Sequence, residues 1–230
     1  MANPLIFWDI DGTIVSSSLE RHFLKYLIKR KLTHPREIAI NLAALSIKRF
    51  PPRWYLIKLA YLRGKPASDV EKWIEDCWEN RIRLNLYRGC VEAIRGLHDN
   101  GVRQVLISGT MRLLAQPLAD YLGIDDLIAG EPEIQDGKYT GALTEPHPVG
   151  ERKLFAADKW LTENGYSWDG VCALGNRWLD HFLLDRARTA IAVHPDKGLR
   201  RYALQKSWKV IDDTDAADSI TSVIISHNPY

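Results

Sequence analysis

The sequence predicts an α/β fold in which a doubly wound parallel sheet is interrupted by a helical insert. Three observations predict it. Over the later two-thirds of the chain, apolar runs of strand length alternate with helix-period segments, the pattern of a parallel sheet with crossover helices. The first apolar run ends in two aspartates, Asp9 and Asp11. The segment from Ser16 to Arg83 reads as helical and basic, unlike its flanks.

Taken in order, Leu5, Ile6, Phe7 and Trp8 have the length and side chains of a buried strand, and Gly12 marks a tight turn after it. Asp9 and Asp11 then stand at the strand's C-terminal end, where an open α/β sheet forms its ligand crevice beside helix N-termini. The bland reading is that Asp11-Gly12 is an ordinary turn and Asp9 a surface residue. Leu19, Phe23, Tyr26 and Leu27 recur at helical spacing, and the stretches Arg36 to Arg49 and Arg53 to Leu62 read as further helices. Ser68 stands three residues before Glu71, a capping-box pattern, and Val70, Trp73, Ile74, Cys77 and Trp78 follow as one apolar stripe.

Beyond Tyr87 the alternation begins. It predicts a helix from Gly89 to Asp99, a strand from Val102 to Ile107, and a helix through Met111 to Ile124 kinked at Pro117. Asp136-Gly137 between two short strands reads as a hairpin. A helix from Glu151, a strand Val171 to Gly175, a helix Trp178 to Ala187, a strand from Ala190, a helix Leu199 to Lys206 and a strand Trp208 to Asp212 complete the reading. The expected division is residues 1–15 and 84–230 as the core, with 16–83 inserted after the first strand.

Composition excludes more than it identifies. With 46% hydrophobic and 26% charged residues, the chain is neither disordered nor fibrous. Cys77, Cys90 and Cys172 are far apart and odd in number, without metal-ligand spacing, which fits a reducing cytoplasm. Asp9 and Asp11 interrupt the place where an export signal needs an apolar core. The longest apolar stretch, Ile38 to Ile47, contains Asn41 and is too short to span a bilayer. A formal charge of +2 conceals fifteen Lys or Arg against seven Asp or Glu between Ser16 and Arg83. Such a segment is either a solvated helical surface or an attractor of anionic substrates, lipid head groups or nucleic acid.

Three further strand ends carry candidate chemistry. Ser108, in Ser108-Gly109-Thr110, follows a strand and precedes a helix, so its hydroxyl and neighbouring N–H groups could hold a phosphate oxygen, although the tripeptide alone is an ordinary loop. Lys153 opens a helix, where a cation gains nothing from the dipole, although a lone lysine is ordinarily a surface residue. Asp180 lies five residues after Gly175, in a position suited either to helix capping or to a metal contact. His147 and His194 each precede a proline and read as loop surface, and Trp8 reads as sheet packing.

Asp9-x-Asp11-Gly12-Thr13, Ser108-Gly109-Thr110, Lys153 and Gly175 to Asp180 follow the order and spacing of the four motifs of haloacid-dehalogenase-like phosphatases. The chain resembles the phosphoserine-phosphatase-like branch, which carries a helical cap after its first strand. The resemblance implies a Rossmann-like core and a small phosphorylated substrate. Asp9 would be the nucleophile, forming an aspartyl-phosphate, and Asp11 the proton donor and acceptor. Ser108, Gly109, Thr110 and Lys153 would hold the phosphoryl oxygens. Mg2+ would lie between Asp9, Asp11, Asn176 and Asp180. No nucleic-acid partner is expected.

One position departs from the family pattern. Where the family has an aspartate that ligates magnesium, this chain has Asn176, followed by Arg177. At an effective dielectric near 20 and a separation of about 4 Å, a unit charge pair is worth roughly 4 kcal/mol. A net loss of about 1.4 to 3 kcal/mol would weaken magnesium affinity roughly ten- to a hundredfold. Reduced activity is therefore expected, and a catalytically impaired binding protein is the alternative. The family's substrate-reading glutamate corresponds to Ser18, which argues against phosphoserine. From Arg21 to Lys65 twelve Lys or Arg face the single acid Glu37. With the apolar stretch Ile40 to Leu62, this is compatible with a lipid-phosphate enzyme resting peripherally on an anionic membrane, and equally with a soluble ester.

Overall fold

A computed structural model describes residues 5–34, 36–39, 59–212, 217, 220–222 and 224. Its first strand, β1 (Leu5–Trp8), is buried on both faces, as a central parallel strand must be. Ile6 and Trp8 point into one apolar cluster, Leu5 and Phe7 into another on the opposite face. The side chains therefore alternate by face without alternating in polarity. Five more strands complete the sheet: β2 (Arg103–Met111), β3 (Asp126–Gly130), β6 (Val171–Gly175), β7 (Thr189–Val193) and β8 (Lys209–Ile211). A two-stranded hairpin, β4 (Pro132–Gln135) and β5 (Lys138–Leu143), lies between β3 and β6 in the chain.

The sheet order is β3-β2-β1-β6-β7-β8 and every pairing in it is parallel. Leu5 is aligned with Arg103 on one side and Val171 on the other. The chain thus builds outward from β1 in one direction, returns, and builds outward in the other. The gap between the ends of β1 and β6 is the switch point, where flanking crossover connections diverge and leave a crevice. Asp9 follows β1, and Asn176 follows β6.

Between β1 and β2 the described residues include α1 (Leu19–Lys29), α2 (Ala67–Cys77), a one-turn π-helix at Trp78–Ile82 and α3 (Arg88–Asp99). Residues 36–39 are helical and Ala60–Leu62 form a 3-10 turn. Residues 40–58, which hold most of the two helices expected there and of the apolar stretch suggesting a membrane surface, lie outside the described residues. Among the described residues no helix is long and apolar enough to cross a membrane.

The capping box expected at Ser68 is not formed. The helix begins at Ala67 with Pro66 before it and has no side-chain cap bond. Its start is set from outside the helix: the Ala67 N–H donates to Gly137 O at 2.9 Å, and Pro66 bridges to Lys138, so the β4–β5 turn takes the place of a cap. That turn does occur at Asp136-Gly137, with φ of 50° and 72°, the left-handed pair that Asp-Gly tolerates.

The remaining helices are α4 (Arg112–Leu122), α5 (Glu151–Asn164), α6 (His181–Arg186) and α7 (Lys197–Gln205). Pro117 lies inside α4. Residues Trp178–Asp180, expected to open a helix, instead form a 3-10 turn preceding α6. The three cysteines are free and buried.

Trp8 is fully buried, and its Nε1–H donates to Gln104 Oε1 at 2.9 Å, while Gln104 Nε2 donates to Ile94 O at 2.9 Å. This bond pins β1 to β2 beside the site. Trp8→Phe keeps an aromatic ring of smaller volume, removes the indole N–H and leaves the Gln104 oxygen unpaired in the core. A loss of about 1–3 kcal/mol in urea-induced unfolding is expected, with an unchanged m-value.

Candidate active site

Asp9 still belongs to the sheet through its backbone, whose N–H donates to Leu174 O at 3.0 Å. Its side chain leaves the strand into the switch-point crevice and is buried. Thr13 Oγ1 donates to Asp9 Oδ2 at 2.9 Å, and Lys153 Nζ donates to Asp9 Oδ1 at 2.6 Å. The same ammonium donates to Asp180 Oδ1 at 2.7 Å. Asp180 Oδ2 in turn accepts the N–H groups of Asn176 at 3.0 Å and Arg177 at 2.9 Å. Asp180 therefore does two things: it closes the turn after β6 and holds Lys153.

One cation buried against two carboxylates leaves a local deficit of positive charge. Burial pushes the Asp9 carboxyl up to about 7, against the pull of Lys153, and Asp180 adds to the rise. Burial also works against the charged form of Lys153, but Asp180 and Asp9 outweigh it and hold its pKa above the ordinary lysine value. The surface position expected of a lone lysine is overturned: the Lys153 side chain is 4% exposed. The first turn of α5 delivers it inward, with its N–H bonded to Gly150 O at 2.9 Å.

Asp11 is held separately. Its Oδ1 accepts the Leu19 N–H at 2.7 Å, at the start of α1, and its Oδ2 accepts Ser108 Oγ–H at 3.2 Å. Ser108 does not follow the strand as expected: β2 runs on to Met111 through an irregular stretch after Ile107, in which Ser108 Oγ also accepts the Thr110 N–H at 3.1 Å. Two glycines let the loops close on one another. A Cβ on Gly109 would lie 2.3 Å from Val149 Cγ2. Gly12, at φ +90°, has no room for a side chain either, since a Cβ would fall 1.9 Å from Asn176 Nδ2. Asn176 is thereby packed directly on the Asp11-Gly12 turn.

Whether these residues suit a metal ion turns on Asn176. Among the described residues no three His, Cys, Asp or Glu side chains converge as a metal site. Yet Asn176 Oδ1 is buried without a hydrogen-bond partner, beside the Asp11-Gly12 turn. An unpaired amide oxygen in a cluster with excess negative charge is a hard donor of the type magnesium accepts, so the residues present fit the ion. Arg177 is exposed and its guanidinium lies outside these contacts.

The structure thus brings Asp9, Lys153, Asp180 and Asn176 into one cluster, with Asp11, Ser108, Gly109 and Thr110 adjoining it. Two expectations fail nearby. His147 is buried, not loop surface: it packs behind the Ser108-to-Thr110 loop, its Cδ2 3.0 Å from where a Gly109 Cβ would be. His194 is half-buried and stacks on Tyr87 with ring centroids 4.1 Å apart. Neither contact has a sequence signal, because each joins loops far apart in the chain.

Family comparison gives this geometry its context. Residues 6–185 match the model of the haloacid dehalogenase-like hydrolases. The chain belongs to that family. A phosphoserine phosphatase of Mycobacterium tuberculosis is 24% identical over 220 residues, covering 90% of this chain and 70% of that protein. A crystal structure of a protein of unknown function from Bordetella pertussis has a TM-score of 0.84 at 23% identity, covering 92% of this chain and 99% of that one. A phospho-aspartyl intermediate analogue of phosphoserine phosphatase has a TM-score of 0.68 at 20% identity, over 96% and 99% of the two chains. These structural likenesses establish the shared fold, with the six-stranded parallel sheet and flanking helices of this hydrolase family.

Removing Lys153 should show how far the cluster depends on one cation. Lys153→Met leaves two buried carboxylates facing each other and is expected to lower unfolding free energy by about 3–5 kcal/mol. Adding Asp180→Asn to that variant removes one of the charges and should restore part of the loss, measured by urea denaturation at neutral pH.

Proposed function

We propose that this hydrolase is a phosphatase acting on phosphate monoesters, with Asp9 as nucleophile. The observation that carries the reading is the buried Lys153 ammonium bound to both Asp9 and Asp180 at the switch point. A cation committed to two carboxylates marks a site built to gather anionic oxygens. The names of its relatives, phosphoserine phosphatases among them, support the same class of substrate.

The residues divide the work as follows. Asp9 Oδ attacks phosphorus, an O–P bond forms to the carboxylate, and the ester P–O bond breaks. Asp11, adjacent and held by Leu19 and Ser108, gives its proton to the departing oxygen. Water then attacks phosphorus, Asp11 takes its proton, and Asp9 and inorganic phosphate are released. Lys153 neutralises charge on the phosphoryl oxygens, which Ser108, Gly109 and Thr110 border. Asp9, the main-chain carbonyl of Asp11 and the Asn176 amide oxygen would hold magnesium, with Asp180 alongside, and the ion would supply the charge that lets carboxylate and phosphate approach. Residues 16–83 act in this reading as a cap over the site.

Phosphoserine is not the substrate we propose, since Ser18 stands where the family's substrate-reading glutamate belongs. Asn176 favours a second reading, a binding protein of impaired turnover, because it removes a unit of charge from the cation site. Most of the stretch that suggested the lipid-phosphate alternative, residues 40–58, lies outside the described residues.

Phosphate release from 4-nitrophenyl phosphate across a magnesium titration separates these readings. Turnover in wild type that falls by about a thousandfold or more in Asp9→Asn is the expected outcome. Asn176→Asp should need roughly tenfold less magnesium. A silent wild type beside an active Asn176→Asp would favour the binding protein. Unchanged release by Asp9→Asn would remove the nucleophile assignment.

The magnesium requirement should also depend on pH. Asp9 holds its proton up to about 7, and that proton competes with the cation for the same oxygens. The magnesium concentration for half-maximal rate is therefore expected to fall as pH rises through about 7. A requirement that is flat from pH 6 to 8 would contradict the raised Asp9.

A further inference from the structure

We propose that His22, Arg81, Arg21 and Lys25 form an anion-binding site at the root of the helical segment, one that takes a phosphate, sulfate or carboxylate group. His22 lies on α1 and is 7% exposed, yet neither ring nitrogen has a hydrogen-bond partner. An imidazole buried with both nitrogens unpaired costs stability, so the position is maintained against a penalty that a ligand would relieve. Arg81 Nε is likewise buried and unpaired.

The charges around His22 are all of one sign. Burial lowers its pKa, and the charges of Arg81, Lys25 and Arg21 lower it further. The lowered pKa favours the neutral ring, which has one N–H to donate, with cationic side chains on its own helix and on the π-helix. Nearby carboxylates are already committed. Asp76 accepts Tyr26 Oη–H, Arg30 and Asn80, Glu79 pairs with Arg83, and Glu20 accepts the Tyr61 hydroxyl. Among the described residues, Arg21, Lys25 and Arg81 have no ion pair. Three uncompensated cations beside unsatisfied buried nitrogens constitute a site for an anion.

The cluster sits next to the catalytic loops. The first N–H of α1, that of Leu19, is bonded to Asp11, and His22 stands three residues further along the same helix. Arg81 lies in the one-turn π-helix, whose widened backbone is a local departure typical of functional sites. Its carbonyl accepts Asn85 Nδ2–H at 2.8 Å, and Asn85 O accepts the Ser16 N–H at 2.9 Å, which ties this turn to the chain leaving the site. The anion has two possible sources: a second acidic group on the ester bound at Asp9, which rests on the phosphatase reading, or a free anion acting as an effector.

The test is a sulfate titration of the full chain at constant ionic strength, followed by histidine side-chain NMR. The His22 signal is assigned by its loss, out of seven histidines, in His22→Gln. A saturable shift of that signal in wild type, lost in Arg81→Gln, is expected. No saturable shift, or the same shift in Arg81→Gln, overturns the site. Should Arg81→Gln not fold, the exposed pair Arg21→Gln/Lys25→Gln must weaken the midpoint about tenfold, and an unmoved midpoint overturns the site equally.

Kinetics then separate the sources. If the anion belongs to the substrate, Arg81→Gln raises the ratio of KM for 3-phosphoglycerate over 4-nitrophenyl phosphate about tenfold. An unchanged ratio, with the shift present in wild type and lost in Arg81→Gln, assigns the site to a free anion. A shift without any phosphate release leaves the anion site standing and removes the phosphatase reading alone; release without a shift does the reverse.

Discussion

The contact on which the site depends is the Lys153 ammonium, buried between Asp9 Oδ1 and Asp180 Oδ1. It is the cation that allows two carboxylates to be taken out of water at the ends of neighbouring strands. Asp9 comes from the end of β1, Asp180 from the turn after β6, and Lys153 from the first turn of α5. Three separate elements are thus joined at one nitrogen, and the sheet's switch point is where their loops can meet.

This arrangement is deliberately short of positive charge. Lys153 balances one carboxylate and leaves the other partly uncompensated, which is why burial holds Asp9 well above its ordinary range. In the proposed phosphatase reading a phosphate ester would bring more negative charge, which a further cation would offset. The Asn176 amide, whose nitrogen packs on Gly12 and whose oxygen is unpaired, is the group that distinguishes this chain from the carboxylate usual at that position. It keeps an oxygen donor and gives up a charge.

The inserted segment extends the same logic outward. Its polar contacts near the core, Leu19 to Asp11 and Asn85 to Ser16, fix the start and end of the insert against the catalytic loops. The His22 and Arg81 cluster then places positive charge beside, and not within, the reacting centre. Charges there act on what approaches the site, while Lys153 acts on what has arrived.

The fold was legible in the sequence because period and punctuation are local. Alternating apolar runs and helical stripes showed an α/β chain, Asp136-Gly137 showed a hairpin, and the order and spacing of four family motifs singled out Asp9, Ser108, Lys153 and Asp180. What sequence could not supply were contacts that close through space. Ser68-x-x-Glu71 looked like a cap, but the Gly137 carbonyl took that role. Lys153 looked like a surface lysine, and His147 like a loop residue, until distant loops folded over them. The unpaired nitrogens of His22 and Arg81 have no sequence signature at all, because an unmet hydrogen bond is a property of surroundings. Sequence by itself determined which residues stand at the ends of the strands, since that follows from spacing along one chain. Only the tertiary structure decided which of them touch and which are buried, because burial and charge balance depend on what the rest of the chain brings alongside.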